Sequence, residues 1–202
     1  MQNREKKKMR EEKILSTLDK LGCLSRSQLQ MIMGIPDVRM MNKILYNMRQ
    51  YLNHTFLNEN VYYLNKKGRQ QIGAQQEFKK TSRILHHIMR NDIYIFYHYP
   101  KDWKIEYPVT WSENGKKYRL IADAFFTYHD MLHFVEVDAQ QQMIKNRSKI
   151  EKYASLFQAI QKQGIGEPVL VWYTISSVRK EKLEVWCKEY DIPYEVLCKH
   201  DI

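Results

Sequence analysis

The sequence predicts an α+β protein built from two modules, a small basic one at residues 1–78 and an α/β one at 79–202. Two observations predict it. Residues 1–80 hold 16 Lys/Arg against 7 Asp/Glu, a net of +9, whereas residues 81–202 hold 17 against 16, a net of +1. The order of elements changes at the same place. Short helices and a hairpin come first, then helix, strands, long helix, strand, helix and strand.

The first helix is expected over 9–21, with Ile14, Leu15, Leu18 and Leu21 on one face and Gly22 as its stop. A second starts at Ser25, where Ser25 and Gln28 form an S-x-x-Q capping box, and ends at Gly34. Asp37 is placed to cap a third helix, roughly 37–52, whose buried stripe is Met41, Ile44, Leu45, Met48 and Leu52. Arg39, Asn42, Lys43, Tyr46, Asn47, Arg49 and Gln50 lie off that stripe, where side chains reach base edges and phosphates. His54–Leu57 and Val61–Leu64 read as two strands around Asn58-Glu59-Asn60. Asn65 then caps a helix carrying Lys66, Lys67 and Arg69.

Three helices followed by a two-stranded wing form a winged helix-turn-helix, with the third helix in the DNA major groove and the wing on the backbone. The bland alternative is a small helical domain that binds protein. The charge of +9 favours nucleic acid.

In the second module, residues 81–97 read as a helix, with Thr81 or Ser82 near its cap. Ile105–Thr110 and Lys117–Ile121 flank Asn114-Gly115, a hairpin signal, and Ala122–Tyr128 and Leu132–Asp138 flank His129-Asp130-Met131. A helix at about 140–162 follows, then a buried strand at Val169–Ile175, a helix capped by Ser176 or Ser177, and a last strand at Tyr194–Leu197.

Three carboxylates stand inside apolar strands. Asp123 opens one strand, and Glu136 and Asp138, two apart on its partner, point to one face. Buried carboxylates need a partner or a metal, and hard oxygen ligands suit Mg²⁺ or Mn²⁺. The competing expectation is structural pairing with Lys145, Arg147, Lys149 or Lys152 of the next helix.

Other chemistries are disfavoured. No run of 18 or more apolar residues exists, and the start, MQNREKKKMREEK, has no apolar stretch behind its basic residues, so a cytoplasmic protein is expected. Cys23, Cys187 and Cys198 lack CxxC spacing, which speaks for reduced thiols and against zinc. His86 and His87 adjoin but point about 100° apart on a helix. No Gly-rich phosphate loop and no Ser or Cys nucleophile pattern occurs.

Asp on one strand and Glu-x-Asp on the next resembles the PD-(D/E)xK nuclease superfamily. Ala122-Asp123 stands where that motif has Pro-Asp, and Glu136-Val137-Asp138 where it has Glu-x-Lys. The resemblance implies catalytic roles for Asp123, Glu136 and Asp138, with Asp123 and Glu136 as metal ligands. Asp138 occupies the place of the lysine that positions the attacking water, and Lys149 is the candidate to reach in and substitute. The acidic residue often found on the first core helix has no counterpart in residues 81–91.

The whole chain more closely resembles the replication-relaxation family of plasmids and integrative elements in Gram-positive bacteria. The resemblance covers about residues 10–175. It rests on Tyr63-Leu64-Asn65-Lys66-Lys67-Gly68, His86-His87 before Asn91-Asp92, Ala122-Asp123-Ala124, Glu136-Val137-Asp138 and Lys149-Ile150-Glu151-Lys152-Tyr153. It implies an N-terminal winged helix-turn-helix followed by a PD-(D/E)xK nuclease-like α/β domain, acting on double-stranded DNA in replication, relaxation or maintenance of a mobile element. Replication or conjugation proteins, or a second copy in a homodimer, are the further partners it implies. A metal-dependent endonuclease or nickase and a winged-helix transcriptional regulator are the alternatives.

Overall fold

The computed structural model describes residues 2–79, 83–113, 115–139 and 141–202. Among these residues it has seven helices and two sheets. The chain divides into two compact units, residues 1–91 and 92–202. The division falls a few residues beyond the charge step and sharpens it. The first unit holds 18 Lys/Arg against 7 Asp/Glu, and the second 15 against 16.

In the first unit α1 (Gln2–Leu21) buries Ile14, Leu15, Leu18 and Leu21. It starts seven residues before the expected position 9. No apolar residue marks that extension, and the ion pairs Lys7–Glu11 and Lys8–Glu12, four residues apart, favour the helix there. A short strand β1 (Cys23–Ser25) follows, too brief to show a period in sequence. Helix α2 (Arg26–Met33) has the expected capping box. The Ser25 hydroxyl accepts from the Gln28 amide at 3.1 Å, and Gly34 closes the helix at φ 63°. In α3 (Val38–Asn47) Asp37 caps the start by accepting from the Met40 amide at 2.7 Å.

Helix α3 is shorter than expected. The Met48 amide bonds to the carbonyls of both Ile44 and Leu45, the helix tightens, and a turn leads to Leu52, which opens a strand instead of ending the helix. Strands β2 (Leu52–Leu57) and β3 (Glu59–Leu64) pair around Asn58 at φ 58°, a conformation Asn tolerates. Strand β1 pairs with the other edge of β3, giving the antiparallel order β1-β3-β2. Arg26 meets Glu59 at 2.8 Å and holds the hairpin base to α2. Asn65 caps α4 (Lys66–Ile72), accepting from the Gly68 amide at 2.9 Å.

Helix α5 (Ile84–Phe96) crosses the division between the units. Its residues up to Asn91 join the first unit through buried hydrogen bonds. The Gln28 side chain donates to the Ile88 carbonyl at 2.8 Å, Arg90 to Leu21 O at 2.7 Å, and Asn91 to Cys23 O at 2.6 Å. The expected cap at Thr81 or Ser82 lies outside the described residues.

The second unit is built on one sheet of order β4-β5-β6-β7-β8. Its strands are β4 (Lys104–Glu113), β5 (Lys116–Tyr128), β6 (Met131–Asp138), β7 (Glu167–Thr174) and β8 (Tyr194–Cys198). The β4/β5 and β5/β6 pairs are antiparallel, and the β6/β7 and β7/β8 pairs are parallel. The parallel pairs are joined through α6 (Met143–Lys162) and α7 (Ser177–Glu189). The two strands expected at 117–121 and 122–128 are one continuous strand. Asn114 of the expected Asn114-Gly115 turn lies outside the described residues. His129 and Asp130, at φ 48° and 61°, make the two-residue turn between β5 and β6. One core packs Trp111, Leu120, Phe134, Leu170 and Trp172 of the sheet against Ile150, Tyr153, Leu156 and Phe157 of α6 and Leu183 of α7.

Gly68 is needed for close approach. A β-carbon there would lie 2.2 Å from the Tyr51 carbonyl oxygen, which already accepts from the Asn65 amide at 3.0 Å. Backbone must shift to admit it, so Gly68→Ala should destabilise the first unit by about 1–3 kcal/mol, read as a lower urea midpoint.

Candidate functional site

Two separate surfaces carry the sequence-predicted residues. The first is the outer face of α3 and the turn after it. Met41, Ile44, Leu45 and Met48 are buried, and Arg39, Asn42, Lys43, Tyr46, Asn47 and Arg49 are all exposed. The heptad-like spacing of the apolar residues forces this split, because a helix that buries one stripe must present the other. Arg49, in the turn, lies over the Tyr46 ring at 4.3 Å and donates to the Tyr46 carbonyl at 3.3 Å, which holds its guanidinium beside an exposed ring. Lys66 and Lys67 are exposed at the start of α4. Arg69 is half-buried and pairs with Glu77 at 3.1 Å. Phe56, near the tip of the β2–β3 hairpin, is 74% exposed, and apolar periodicity gives no hint of it.

The second surface lies where β5, β6 and α6 meet. Strand pairing is interrupted at Asp123. The β4/β5 register skips the Glu106–Asp123 position, and Glu106 adopts φ 48°. The β5/β6 register stops at Ala124–Val135. Leu120, Ala122 and Phe125 all pack on the same core, so the face alternation shifts by one residue here while the β4/β5 pairing stays one-to-one on both sides. The Asp123 carboxylate takes over from the ladder and accepts the Val137 amide at 2.8 Å. That places it close enough to Glu136 for the two like charges to raise the Glu136 pKa.

Glu136 is 1% exposed in the central strand. Lys149 of α6 donates to one of its oxygens, and the Tyr153 hydroxyl donates to the other at 2.7 Å. Burial pushes the Glu136 carboxyl up to about 8; Lys149 pulls it down without cancelling that effect, and Asp123 adds to the rise. The same surroundings push the buried Tyr153 hydroxyl well up.

Asp138 is fully buried but turns to different partners. Arg179 of α7 grips both its oxygens at 2.5 and 2.6 Å, and Thr174 donates to one at 2.9 Å. Arg179 also donates to the Gln141 carbonyl at 2.5 Å, which fixes the segment leaving β6. The structure therefore brings together Asp123, Glu136 and Lys149 and assigns Asp138 to an ion pair with α7. Sequence reasoning misses Tyr153 and Arg179 as partners. Tyr153 stands in the sequence as one more apolar position of its helix, and Arg179 lies 41 residues from Asp138 with no local signal.

A divalent ion needs several oxygens that can converge on it without competing cations or donors. Here both Glu136 oxygens accept from hydrogen donors, one Asp123 oxygen is held by a backbone amide, and Asp138 is held by Arg179 and Thr174. Among the described residues no group of three His, Cys, Asp or Glu is arranged to hold a metal. The residues as arranged do not fit Mg²⁺ or Mn²⁺. The three cysteines are free and buried, and burial pushes Cys23 and Cys187 up to about 12, so neither of these two is a ready thiolate.

The model of one family, replication-relaxation, matches residues 14–167. The chain belongs to the replication-relaxation family. No curated protein matches. Among solved structures, protein VC1899 from Vibrio cholerae is similar at 14% identity and a TM-score of 0.38, over 90% of this chain. The chain spans 46% of that protein's length. No helix among the described residues is long and apolar enough to cross a membrane.

Two outcomes follow for this site. Folding raises the Glu136 pKa from 4.5 to about 8, so the native state holds a proton that the unfolded state releases. Its stabilising contribution is complete below 4.5 and is lost as pH rises through 8. Glu136→Gln should flatten that decline, removing a slope of up to about 1.4 kcal/mol per pH unit in urea titrations across the window. Arg179→Met should leave Asp138 buried without its cation and destabilise the second unit by about 3 kcal/mol, measured as a fall in urea midpoint.

Proposed function

We propose that this replication-relaxation protein binds double-stranded DNA through its first unit, in the replication, relaxation or maintenance of a bacterial mobile element. In this reading the first unit is a winged helix-turn-helix, α3 lies in the major groove, and the β2–β3 hairpin is the wing. The observation that carries it is the α3 surface. Six polar residues capable of reading bases or phosphates, three of them basic, are all exposed over a buried apolar stripe. The unit's excess of Lys/Arg, 18 against 7, supports it.

The second unit is read as a PD-(D/E)xK nuclease-like domain. Asp123 and Glu136 on neighbouring strands, at the β6 end that leads into α6, support that reading. The nearness of Lys149 to Glu136 favours an endonuclease as the second reading, but the ammonium and hydroxyl already bonded to the Glu136 oxygens count against a metal-dependent route. Replication or conjugation proteins, or a second copy of the chain, are the partners proposed for this unit.

The test is duplex binding by the full chain in EDTA across a salt series. Replacing Lys43 and Arg49 together by Ala should weaken binding and lower the slope of log K against log salt by about 2, one for each phosphate left without its cation. An unchanged slope with intact circular dichroism removes α3 from the interface.

A further inference from the structure

We infer that Lys149 is a built-in counter-ion that occupies the cation position at Asp123 and Glu136, and that it keeps this pocket closed to divalent metal ions. Three observations carry the inference. Glu136 sits in the middle of the sheet, and its two oxygens are divided between the Lys149 ammonium and the Tyr153 hydroxyl. Lys149 and Tyr153 lie four residues apart on α6, on one face of the helix, so the helix delivers both donors in one docking step. Asp123 is fixed beside them by the Val137 amide, at an interruption of strand pairing that aims its side chain.

Above about pH 8, where Glu136 is ionised, the arrangement offers a cation two carboxylates, and the Lys149 ammonium already holds one of them. A divalent ion entering at the same oxygens would stand within about 4 Å of a positive charge in a low-dielectric site, where repulsion is poorly screened. To bind, it must expel the ammonium and replace both hydrogen bonds to Glu136. The Lys149 side chain is 26% exposed, and its ammonium reaches the buried Glu136 carboxyl. Asp138 cannot be recruited as a third ligand without breaking the bidentate grip of Arg179.

This deepens the reading of the second unit as nuclease-like and does not depend on the DNA-binding face. The DNA-binding reading is decided by the salt slope of the Lys43 and Arg49 variant in EDTA, with no divalent ion present, so the two fail separately.

The experiment is Mn²⁺ titration of the full chain by calorimetry and by thermal unfolding at a pH above the Glu136 value of about 8, using wild type, Glu136→Gln, Lys149→Met, and Lys149→Met combined with Glu136→Gln. Methionine keeps an apolar stem of similar length and removes the charge. Wild type should show no saturable Mn²⁺ binding and no Tm shift up to about 1 mM. Lys149→Met should gain saturable binding and a Tm rise of a few degrees with Mn²⁺. The double variant should lose that gain, which places the ion at Glu136. Wild-type binding that Glu136→Gln abolishes overturns the inference. So does a folded Lys149→Met that takes up no Mn²⁺ at about 10 mM. Should Lys149→Met unfold, Lys149→Gln serves in its place, and the wild-type arm stands by itself.

Discussion

The cost of placing two carboxylates in the central strand of an apolar sheet shapes the second unit. Glu136 and Asp138 are 1% and 0% exposed, and neither can remain there without a partner. Each is matched by a cation from a different helix, Lys149 on α6 and Arg179 on α7, and each has a hydroxyl as its second donor. The ion pairs therefore do more than neutralise charge. They select one rotation and one register for each helix against the sheet, where apolar packing alone tolerates many. The rotation of α6 that buries Ile150, Tyr153, Leu156, Phe157 and Ile160 is also the one in which Lys149 reaches Glu136 of β6.

The same constraint accounts for the break in pairing at Asp123. A regular strand would keep Leu120, Ala122 and residue 124 on one face. Instead Phe125 packs with Leu120 and Ala122, opposite Phe134. At this shift in alternation the Asp123 carboxylate holds the Val137 amide and lies beside Glu136. Burial raises the proton affinity of Glu136, the Lys149 ammonium limits that rise, and the nearby Asp123 charge adds to it. Strand irregularity, carboxylate placement and helix docking are thus one mechanical unit.

Much of this is legible in the chain, and the parts that are not share a cause. The caps at Ser25, Asp37 and Asn65 and the exposed face of α3 follow from signals within four residues, and the structure has each of them. The true end of α3 at Asn47 is hidden because Met48 and Leu52 continue the helical period by accident, one closing a turn and the other opening a strand. The convergence of Asp123, Glu136 and Lys149 is readable from strand alternation and the helix that follows. The capture of Asp138 by Arg179 is not, since it depends on a parallel crossover that brings together residues 41 apart. The break in alternation is invisible for a similar reason: Ala122-Asp123-Ala124 alternates regularly in sequence.

The distribution of charge sets the chemistry open to each unit. The first has 11 more basic than acidic residues, and the second has one fewer. Counterion release scales with the number of phosphates neutralised, so non-specific affinity for a polyanion has to come chiefly from the first unit. The second unit commits four of its 15 cations to ion pairs, with Glu136, Asp138, Glu189 and Asp201, and the first two of these carboxylates are buried. A group held in an ion pair with a buried carboxylate contributes little to long-range attraction, since the pair is neutral at a distance. What the second unit can add is local and geometric: a sheet end at which a carboxylate pair and an ammonium are held in fixed relation. The proton affinity of its buried carboxyl is set by burial first and then by the cation bonded to it.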